Sequence, residues 1–206
     1  MDTQYTNNTS GAEKKQPKWR VTFNAQVTLV FGAICIVALT LSLITGGRTN
    51  EALFMTYHSP LKNPFTWIRF FTHIFGHAGW THMIGNLSYI LLLGPLLEEK
   101  YGSKTLIGVI ALTAFATGIL NYIFFPHVGL LGASGVVFAF ILLSSVTSFK
   151  EGEIPLTFIL VAVIYLGQQI FEGIFAQDNI SNMAHIIGGI VGAAMGFLLQ
   201  TGSKKD

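Results

Sequence analysis

Six long apolar runs constrain this chain more than any other feature of its sequence. A helix needs about 20 mostly apolar residues to cross a bilayer, whose hydrocarbon core is about 30 Å thick. The chain offers runs at 25–44, 81–100, 105–125, 134–149, 155–175 and 181–200. Because a spanning segment must satisfy its backbone polar groups internally, such runs form helices. The sequence therefore predicts an all-α integral membrane bundle of six transmembrane helices.

Composition agrees with this fold class and limits the partners. The chain is 51% hydrophobic and 11% charged, whereas soluble domains carry roughly 25% charged residues. A formal net charge of +2 is too small to favour a nucleic-acid partner. The single cysteine, Cys35, lies in the first apolar run, so we expect it to pack there without an intrachain disulfide. The expected partner is the lipid bilayer.

The runs also divide the chain. Residues 1–20 are polar and basic, and we predict that they form a disordered cytosolic arm. The apolar run that follows is too long for the h-region of a signal peptide, which spans about 7–15 residues. Residues 21–200 then form one six-span membrane domain, and residues 201–206 form a short cytosolic tail.

Basic residues predict the orientation, because lysine and arginine accumulate on the cytoplasmic side. With the N-terminus inside, the inner segments contain nine: Lys14, Lys15, Lys18, Arg20, Lys100, Lys104, Lys150, Lys204 and Lys205. The outer segments contain three: Arg48, Lys62 and Arg69. Both ends of the chain are therefore expected in the cytoplasm.

The outer segment 45–80 is long and contains an amphipathic stripe. Its apolar residues recur at i, i+3, i+4, i+7 and i+8, namely Trp67, Phe70, Phe71, Ile74 and Phe75, which predicts one helical face. Such a helix either lies in the outer membrane interface or packs wholly on protein. The sequence leaves both readings open and predicts a membrane-associated first loop.

Polar residues of three spans fall at one depth. Spans two, four and six all enter the membrane from outside, and near these entrances lie His82 and Asn86, Ser134, and His185. At 1.5 Å per residue they reach similar shallow levels. His82 and Asn86, four residues apart, also share a face of span two. This convergence favours a common site.

Span six presents its histidine on a seam of small residues. The small residues that share this face are Gly188, Gly192 and Gly196. Such seams let a neighbouring helix approach closely. If that neighbour is span four, Gly135 and Ala139 would permit the contact and bring Ser134 within reach of His185. Span four is short, so the loop 126–133 must enter the membrane region, where non-helical backbone lines a wet cavity or is buried in protein.

Each of these residues also has a structural interpretation. Ser134 could bond to its own helix, His185 could bridge helices, and Asn86 could join two spans. The motif around Ser134 lacks the second glycine of the hydrolase elbow G-x-S-x-G. Only the shared depth of these residues in the membrane and the helix faces on which they lie favour a catalytic role.

At these positions the sequence resembles the rhomboid intramembrane serine proteases, from about Trp67 through Gln200. The matching pieces are Arg69, HAGWTHMIGN at 77–86, Glu98 with Gly102 at the end of span two, GASG at 132–135, and AHIIGGIVG at 184–192. Their combination in this order is specific to the family.

The resemblance implies a catalytic dyad in which Ser134 is the nucleophile and His185 the general base. The oxyanion would be stabilised by the side chains of His82 and Asn86 and by the backbone N–H of Ser134. No acid is needed to orient the histidine, so Asp178 is interpreted as a loop or cap residue.

The resemblance also implies residues that support the site: Gly132, Gly135, Phe138, Gly188, Gly192, Arg69 and Glu98. Phe138 departs from the family, which often has a tyrosine there, so a ring can still stack on the histidine but no hydroxyl is present. His77 falls on a loop position with an expected structural role.

Further expectations follow from the same resemblance. The enzyme would use no cofactor and no metal, and it would cleave single-span membrane proteins in or near their transmembrane segments. It would lie in the inner membrane of a bacterium, with its active site open to the extracytoplasmic side.

Three alternatives remain, and a fourth, the aspartyl-type protease, fails. His73, His77 and His82 could bind a metal, but Ile74 stands where the H-E-x-x-H motif needs its glutamate. An aspartyl-type protease needs two membrane carboxylates, and only Glu172 qualifies. Gln168, Gln169 and Glu172 could line a transport path, although inverted repeats are missing. An inactive rhomboid relative could act as a membrane-protein binder or chaperone.

Overall fold

The computed structural model describes residues 23–146, 156–175 and 179–202. The predicted arm at 1–20, the end of the fourth run at 147–149, Pro155 and Asp178 lie outside the described residues. Within the described ranges the chain is helical apart from connecting loops, and no strand occurs beyond one antiparallel bridge between Thr56 and Leu130. The all-α fold class is therefore confirmed.

Each of the six predicted apolar runs corresponds to a helix of the structure. Along the chain the helices are α1 (Gln26–Ile44), α2 (Pro64–Thr72), α3 (Trp80–Tyr101), α4 (Ser103–Phe124), α5 (Ser134–Val146), α6 (Leu156–Phe175) and α7 (Asn179–Gly202). A π-helical turn (Asn50–Phe54) and a 3₁₀ turn (His73–Phe75) flank α2. The loop between α1 and α3 thus has its own folded structure, and α7 continues into the predicted tail as far as Gly202.

Two helices, α1 and α4, are both long and apolar enough to cross a membrane by length and composition among the described residues. Shorter apolar stretches occupy Ser134–Val146 and Met183–Leu199. The number of membrane crossings in the bundle therefore stays a prediction.

Helix α5 forms the centre of the bundle and contacts α3, α4, α6 and α7. Its residues from Gly135 to Leu143 are buried without interruption. A helix that is apolar on all sides is stable when neighbours surround it. The fold therefore places Ser134 at the start of a helix that its neighbours surround.

The amphipathic stripe of the first loop is partly buried in protein and partly exposed, so each of its two interpretations applies to some of its residues. Phe70 and Ile74 are buried in protein, whereas Trp67 and Phe71 keep 48% and 43% of their surface exposed. The stripe is not one continuous α-helix, because α2 ends at Thr72 and the chain tightens into the 3₁₀ turn. One edge of α2 thus packs on the bundle, while the other presents large apolar side chains outward.

Arg69 organises the first loop from inside. It is 3% exposed, and its guanidinium donates to the carbonyl of Ala52 and to Oγ of Ser59. The guanidinium also lies 4.3 Å from the centroid of the Tyr57 ring, a cation–π arrangement. These contacts tie α2 to the chain on both sides of residue 55.

Glu98 connects α1, α3 and α4 at one end of the bundle. Its carboxylate accepts hydrogen bonds from the backbone N–H groups of Val27 and Thr28, from the Thr28 hydroxyl and from Ser103 Oγ. Val27 and Thr28 lie in the first turn of α1, where N–H groups lack helical partners and favour a negative charge. No side chain of α1 itself caps this turn. The carboxylate of α3 therefore caps α1 from another helix.

We expect Glu98→Ala to lower the free energy of unfolding by about 2–4 kcal/mol, because it leaves buried donors without their charged acceptor. Glu99→Ala removes the neighbouring exposed carboxylate and is the matched control, with an expected change within about 0.5 kcal/mol. Unfolding of both variants in mild detergent measures the difference. Equal stability of the two variants would contradict the capping role.

Candidate active site

The loop that leads into α5 is held by hydrogen bonds to the first loop. Thr56 and Leu130 exchange two backbone hydrogen bonds of 2.9 Å, and the N–H of Gly132 donates to the carbonyl of His73 at 2.9 Å. Asn121 of α4 donates to the carbonyls of Thr56 and Val128. The part of the loop nearest to Ser134 is therefore held by hydrogen bonds, with Leu130, Gly132 and Ala133 buried, while Pro126, His127 and Gly129 are exposed.

Gly132 brings α3 next to this loop. A Cβ atom at Gly132 would lie 2.8 Å from Cε1 and from Nε2 of His82, and 3.8 Å from Nδ2 of Asn86. Gly132 also has φ of +127°, which side chains rarely adopt. The two polar side chains of α3 thus face backbone that lies two residues before Ser134.

A third polar side chain joins this group from the first loop. His77 is fully buried, and its Nε2 lies 3.2 Å from Nδ2 of Asn86, while its Nδ1 lies 3.1 Å from the carbonyl oxygen of Phe75. The ring of His77 also meets the ring of His82 edge to face, with centroids 5.0 Å apart. His77, His82 and Asn86 therefore form one polar cluster.

Helix α7 packs directly on the backbone of α5. Cβ atoms at Gly188 and Gly192 would lie 2.0 Å from the Gly135 carbonyl oxygen and 2.1 Å from the Ala139 carbonyl oxygen, respectively. Only glycine fits at such distances, and the predicted small-residue seam is thus the face that α7 turns toward α5. The hypothesis that spans four and six are neighbours is confirmed.

This contact brings the imidazole of His185 to the Ser134 end of α5. The ring of Phe138 stacks on that of His185, with centroids 4.3 Å apart and an angle of 10° between the planes. Phe138 lies four residues after Ser134 and shares its helical face. The histidine is therefore on the face of α5 that contains Ser134 and Phe138.

The side chains of the candidate site differ in their exposure. Ser134, His82 and His185 are each partly exposed, while Gly135 and Asn86 beside them are buried. The first N–H groups of a helix have no helical partner and carry partial positive charge, and Ser134 stands at that position in α5. The site can thus offer a nucleophile, a base and several hydrogen-bond donors at an accessible surface.

Burial controls the protonation of the two histidines in the first loop. Burial lowers the pKa of His73 to about 4, against an opposing hydrogen bond to the carbonyl of Arg69. Burial, and secondarily the nearby His82, lowers the pKa of His77 to about 4. Both imidazoles are consequently neutral near pH 7 and serve as hydrogen-bonding groups.

The structure brings most of the predicted site residues together, although their catalytic roles stay predictions. Ser134, Gly135, Phe138, His185, Gly188 and Gly192 meet at the α5–α7 contact, and His82, Asn86 and Gly132 meet beside it. Arg69 and Glu98 lie in separate networks within the first loop and at the far end of α3.

Sequence reasoning missed the place of His77 in this cluster. The loop between His77 and Asn86 breaks any helical periodicity, so spacing alone does not connect the two side chains. Among the residues that the structure describes, no group of three or more histidine, cysteine or acidic side chains is arranged to hold a metal ion. The side chains of Gln168, Gln169 and Glu172 lie outside the described ones.

Comparison with known proteins identifies the family of this chain. Residues 64–201 match the family model of the Rhomboid domain, and they include every residue of the cluster and of the α5–α7 contact. The chain belongs to the rhomboid family, and it is an integral membrane protein.

Several relatives are similar over most of this chain. Rhomboid protease GlpG of Salmonella paratyphi A is 29% identical over 184 residues, which cover 87% of this chain and 65% of the relative. Rhomboid protease GlpG of Haemophilus influenzae is 23% identical over 178 residues, covering 84% and 90%. Rhomboid-like protein 11, chloroplastic, of Arabidopsis thaliana is 23% identical over 74% of this chain. The chain thus spans about two thirds of the length of the Salmonella relative.

We expect Gly188→Ala to separate α5 from α7, because its methyl group would collide with the backbone of Gly135. The rate of peptide cleavage, the activity that the rhomboid resemblance implies, should fall by at least tenfold. Overpacking of this kind also costs about 1–3 kcal/mol of stability. The control is Gly108→Ala on α4, where an added Cβ meets no atom within 4 Å. Comparable activity of the two variants would show that this contact does not position the site.

The two buried histidines predict a pH dependence of stability. Their pKa is about 6.5 in an unfolded chain and about 4 in the fold, so the unfolded state binds more protons between these values. Stability should be fully present above pH 6.5 and fall by up to roughly 3 kcal/mol per histidine as the pH approaches 4.

Unfolding in mild detergent at a series of pH values measures this loss. The variant His73→Asn should be less stable at pH 7 but should lose less stability between pH 6.5 and 4. An unchanged slope in that variant would mean that His73 does not titrate in this window.

Proposed function

We propose that the chain is an intramembrane serine endopeptidase that hydrolyses peptide bonds in or near transmembrane segments of membrane proteins. The observation that carries the proposal is the stacking of Phe138 on His185, which sets an imidazole on the same face of α5 as Ser134. The contact of α7 with the backbone of Gly135 supports it, because a helix seated on backbone has little freedom to shift.

In this proposal Ser134 attacks the carbonyl carbon of the substrate peptide while His185 accepts the proton of the hydroxyl. The tetrahedral intermediate collapses as the imidazolium returns that proton to the leaving amine. Water then attacks the acyl-enzyme with His185 again as the base, and the acid product and free Ser134 are released. The cycle consumes one water and needs neither ATP nor a metal.

The oxyanion is stabilised by the backbone N–H of Ser134, by His82 and by Asn86. The support for this assignment is the 2.8 Å approach of His82 Nε2, and the 3.8 Å approach of Asn86 Nδ2, to the Cβ position of Gly132. Preorganised donors of this kind cost no reorganisation during the reaction, and removal of one typically lowers kcat by about 10²–10³.

Phe138 positions the general base through its ring alone. An aromatic ring parallel to the imidazole restricts rotation of the histidine about its side-chain bonds. A tyrosine would add a hydroxyl at this place. The proposal therefore assigns to Phe138 an orienting role by stacking and no proton transfer.

The substrates are single-span membrane proteins whose helix unwinds near the outer interface, because an α-helix shields its carbonyl groups from attack. The chain would lie in the inner membrane of a bacterium, with six spans, both ends in the cytoplasm and the site open to the extracytoplasmic side. The substrate class, the membrane and the opening of the site are those that the rhomboid resemblance implies, and the orientation is the one that the basic residues predict.

A serine-directed fluorophosphonate probe tests the proposal. We expect labelling of the purified chain, no labelling of Ser134→Ala, and loss of peptide cleavage by at least 10³-fold in both Ser134→Ala and His185→Ala. Ser145→Ala on the same helix is the matched control, and it should label and cleave as the original chain does. Equal labelling of the original chain and Ser134→Ala would eliminate the serine protease.

The same preparation separates the alternatives. EDTA should leave cleavage unchanged, and inhibition that zinc reverses would instead support a metalloprotease. A chain that binds membrane proteins but neither labels nor cleaves would be an inactive rhomboid relative. Solute flux through vesicles that contain Ser134→Ala would support a transporter.

A further inference from the structure

The polar cluster beside the α5–α7 contact contains one histidine to which the proposed mechanism gives no role. His77 is buried and contacts Asn86, the more deeply buried of the two donors assigned to the oxyanion. The inference below rests on the proposed function, because it concerns how that donor is held.

The carbonyl of Phe75 determines which nitrogen of His77 carries the proton. A carbonyl oxygen only accepts hydrogen bonds, so Nδ1 of His77, 3.1 Å away, must carry the hydrogen. A neutral imidazole has one N–H, and burial keeps the pKa of His77 low enough for the neutral form near pH 7. The Nε2 atom is therefore left as an acceptor.

That acceptor determines the orientation of the Asn86 amide. The nitrogen and oxygen of an asparagine amide exchange places when the group turns over. Against a bare Nε2 only the amide nitrogen makes a hydrogen bond, and Nδ2 does lie 3.2 Å from it. One amide hydrogen is thus used by His77, and the second is free to point elsewhere.

We propose that His77 is a positioning residue that fixes the Asn86 amide with a free N–H directed at the substrate oxyanion. The hydrogen-bond relay runs from the Phe75 carbonyl through the His77 ring to Asn86. With the amide reversed, Asn86 would present its carbonyl oxygen to His77 and no longer hold Nδ2 in this place.

The loop does not depend on this ring contact for its own position. The backbone carbonyl of His77 accepts a hydrogen bond from Nδ2 of Asn50 at 3.0 Å. The preceding Gly76 packs so closely that an added Cβ would lie 2.2 Å from the carbonyl oxygen of Phe54. Substitution of the imidazole can therefore alter the relay while these backbone anchors remain.

Two amide variants separate the halves of the relay. His77→Asn places an amide nitrogen where Nδ1 lies, so it keeps the donor to Phe75 but offers no acceptor to Asn86. His77→Gln reaches the place of Nε2 and can present its carbonyl oxygen to Asn86. We expect His77→Asn to lower kcat by about ten- to a hundredfold with KM within twofold, and His77→Gln to recover kcat to within about threefold of the original chain.

The kinetics are measured on the full chain in detergent micelles and normalised to sites that label with fluorophosphonate, so that unfolded protein does not count. His58→Asn replaces an exposed histidine of the same loop and should change kcat by less than twofold. In an Asn86→Ala background, His77→Asn should cause no further loss, because the two residues act through one donor. Equal kcat for His77→Asn and His77→Gln, or losses that multiply, would overturn the relay.

The protonation of His77 is measured without catalysis. In chain labelled with ¹⁵N-histidine, the His77 signal, assigned by its absence in His77→Gln, should show a protonated Nδ1 and a bare Nε2 at pH 7. The opposite tautomer would refute the inference even if the chain proves to be a protease. Conversely, cleavage by Ser134→Ala would refute the proposed function and leave this measurement as the test of the relay.

Discussion

The contact between the backbones of α5 and α7 is the constraint on which the site depends. Gly188 and Gly192 lie against the carbonyls of Gly135 and Ala139 without room for a methyl group. Dispersion forces act at short range, and in lipid they provide much of the association between helices. A pair packed at this distance has one register, so the level of His185 relative to Ser134 is determined by the glycines of the helices themselves.

The donor side of the site is held in a different way, by hydrogen bonds among segments that lie far apart in the sequence. Helix α3 contributes His82 and Asn86, and the first loop meets it through His77. The same loop also accepts the N–H of Gly132 and pairs with Leu130. Because these bonds lie in buried surroundings, leaving any of them unmade costs more than in water. The first loop therefore holds the backbone and side chains of the candidate active site in place.

Sequence reasoning was strongest where a feature is local. Apolar length predicted six of the seven α-helices that the structure describes, and helical spacing predicted that His185 shares a face with Gly188 and Gly192. It was weakest where contacts join distant segments in irregular backbone. Thr56 and Leu130 are paired although the three helices α2, α3 and α4 lie between them in the sequence. No periodicity links His77 to Asn86. Hydropathy also left α2 ambiguous, because Phe70 and Phe71 are equally apolar, yet one is buried and the other is not.

These two kinds of support have different consequences for tolerance to change. Steric contact at Gly188 admits no side chain, so variation there acts on both helices at once. The hydrogen bonds of the first loop can instead be kept by a different side chain that presents the same donor or acceptor. For example, a glutamine at position 77 can present an acceptor oxygen where Nε2 of His77 lies. At the other end of α3, Glu98 fixes the start of α1 by a charged cap that touches no site residue. Stability and site geometry are thus carried by separate residues of the same helix, and substitutions in α3 can alter one while sparing the other.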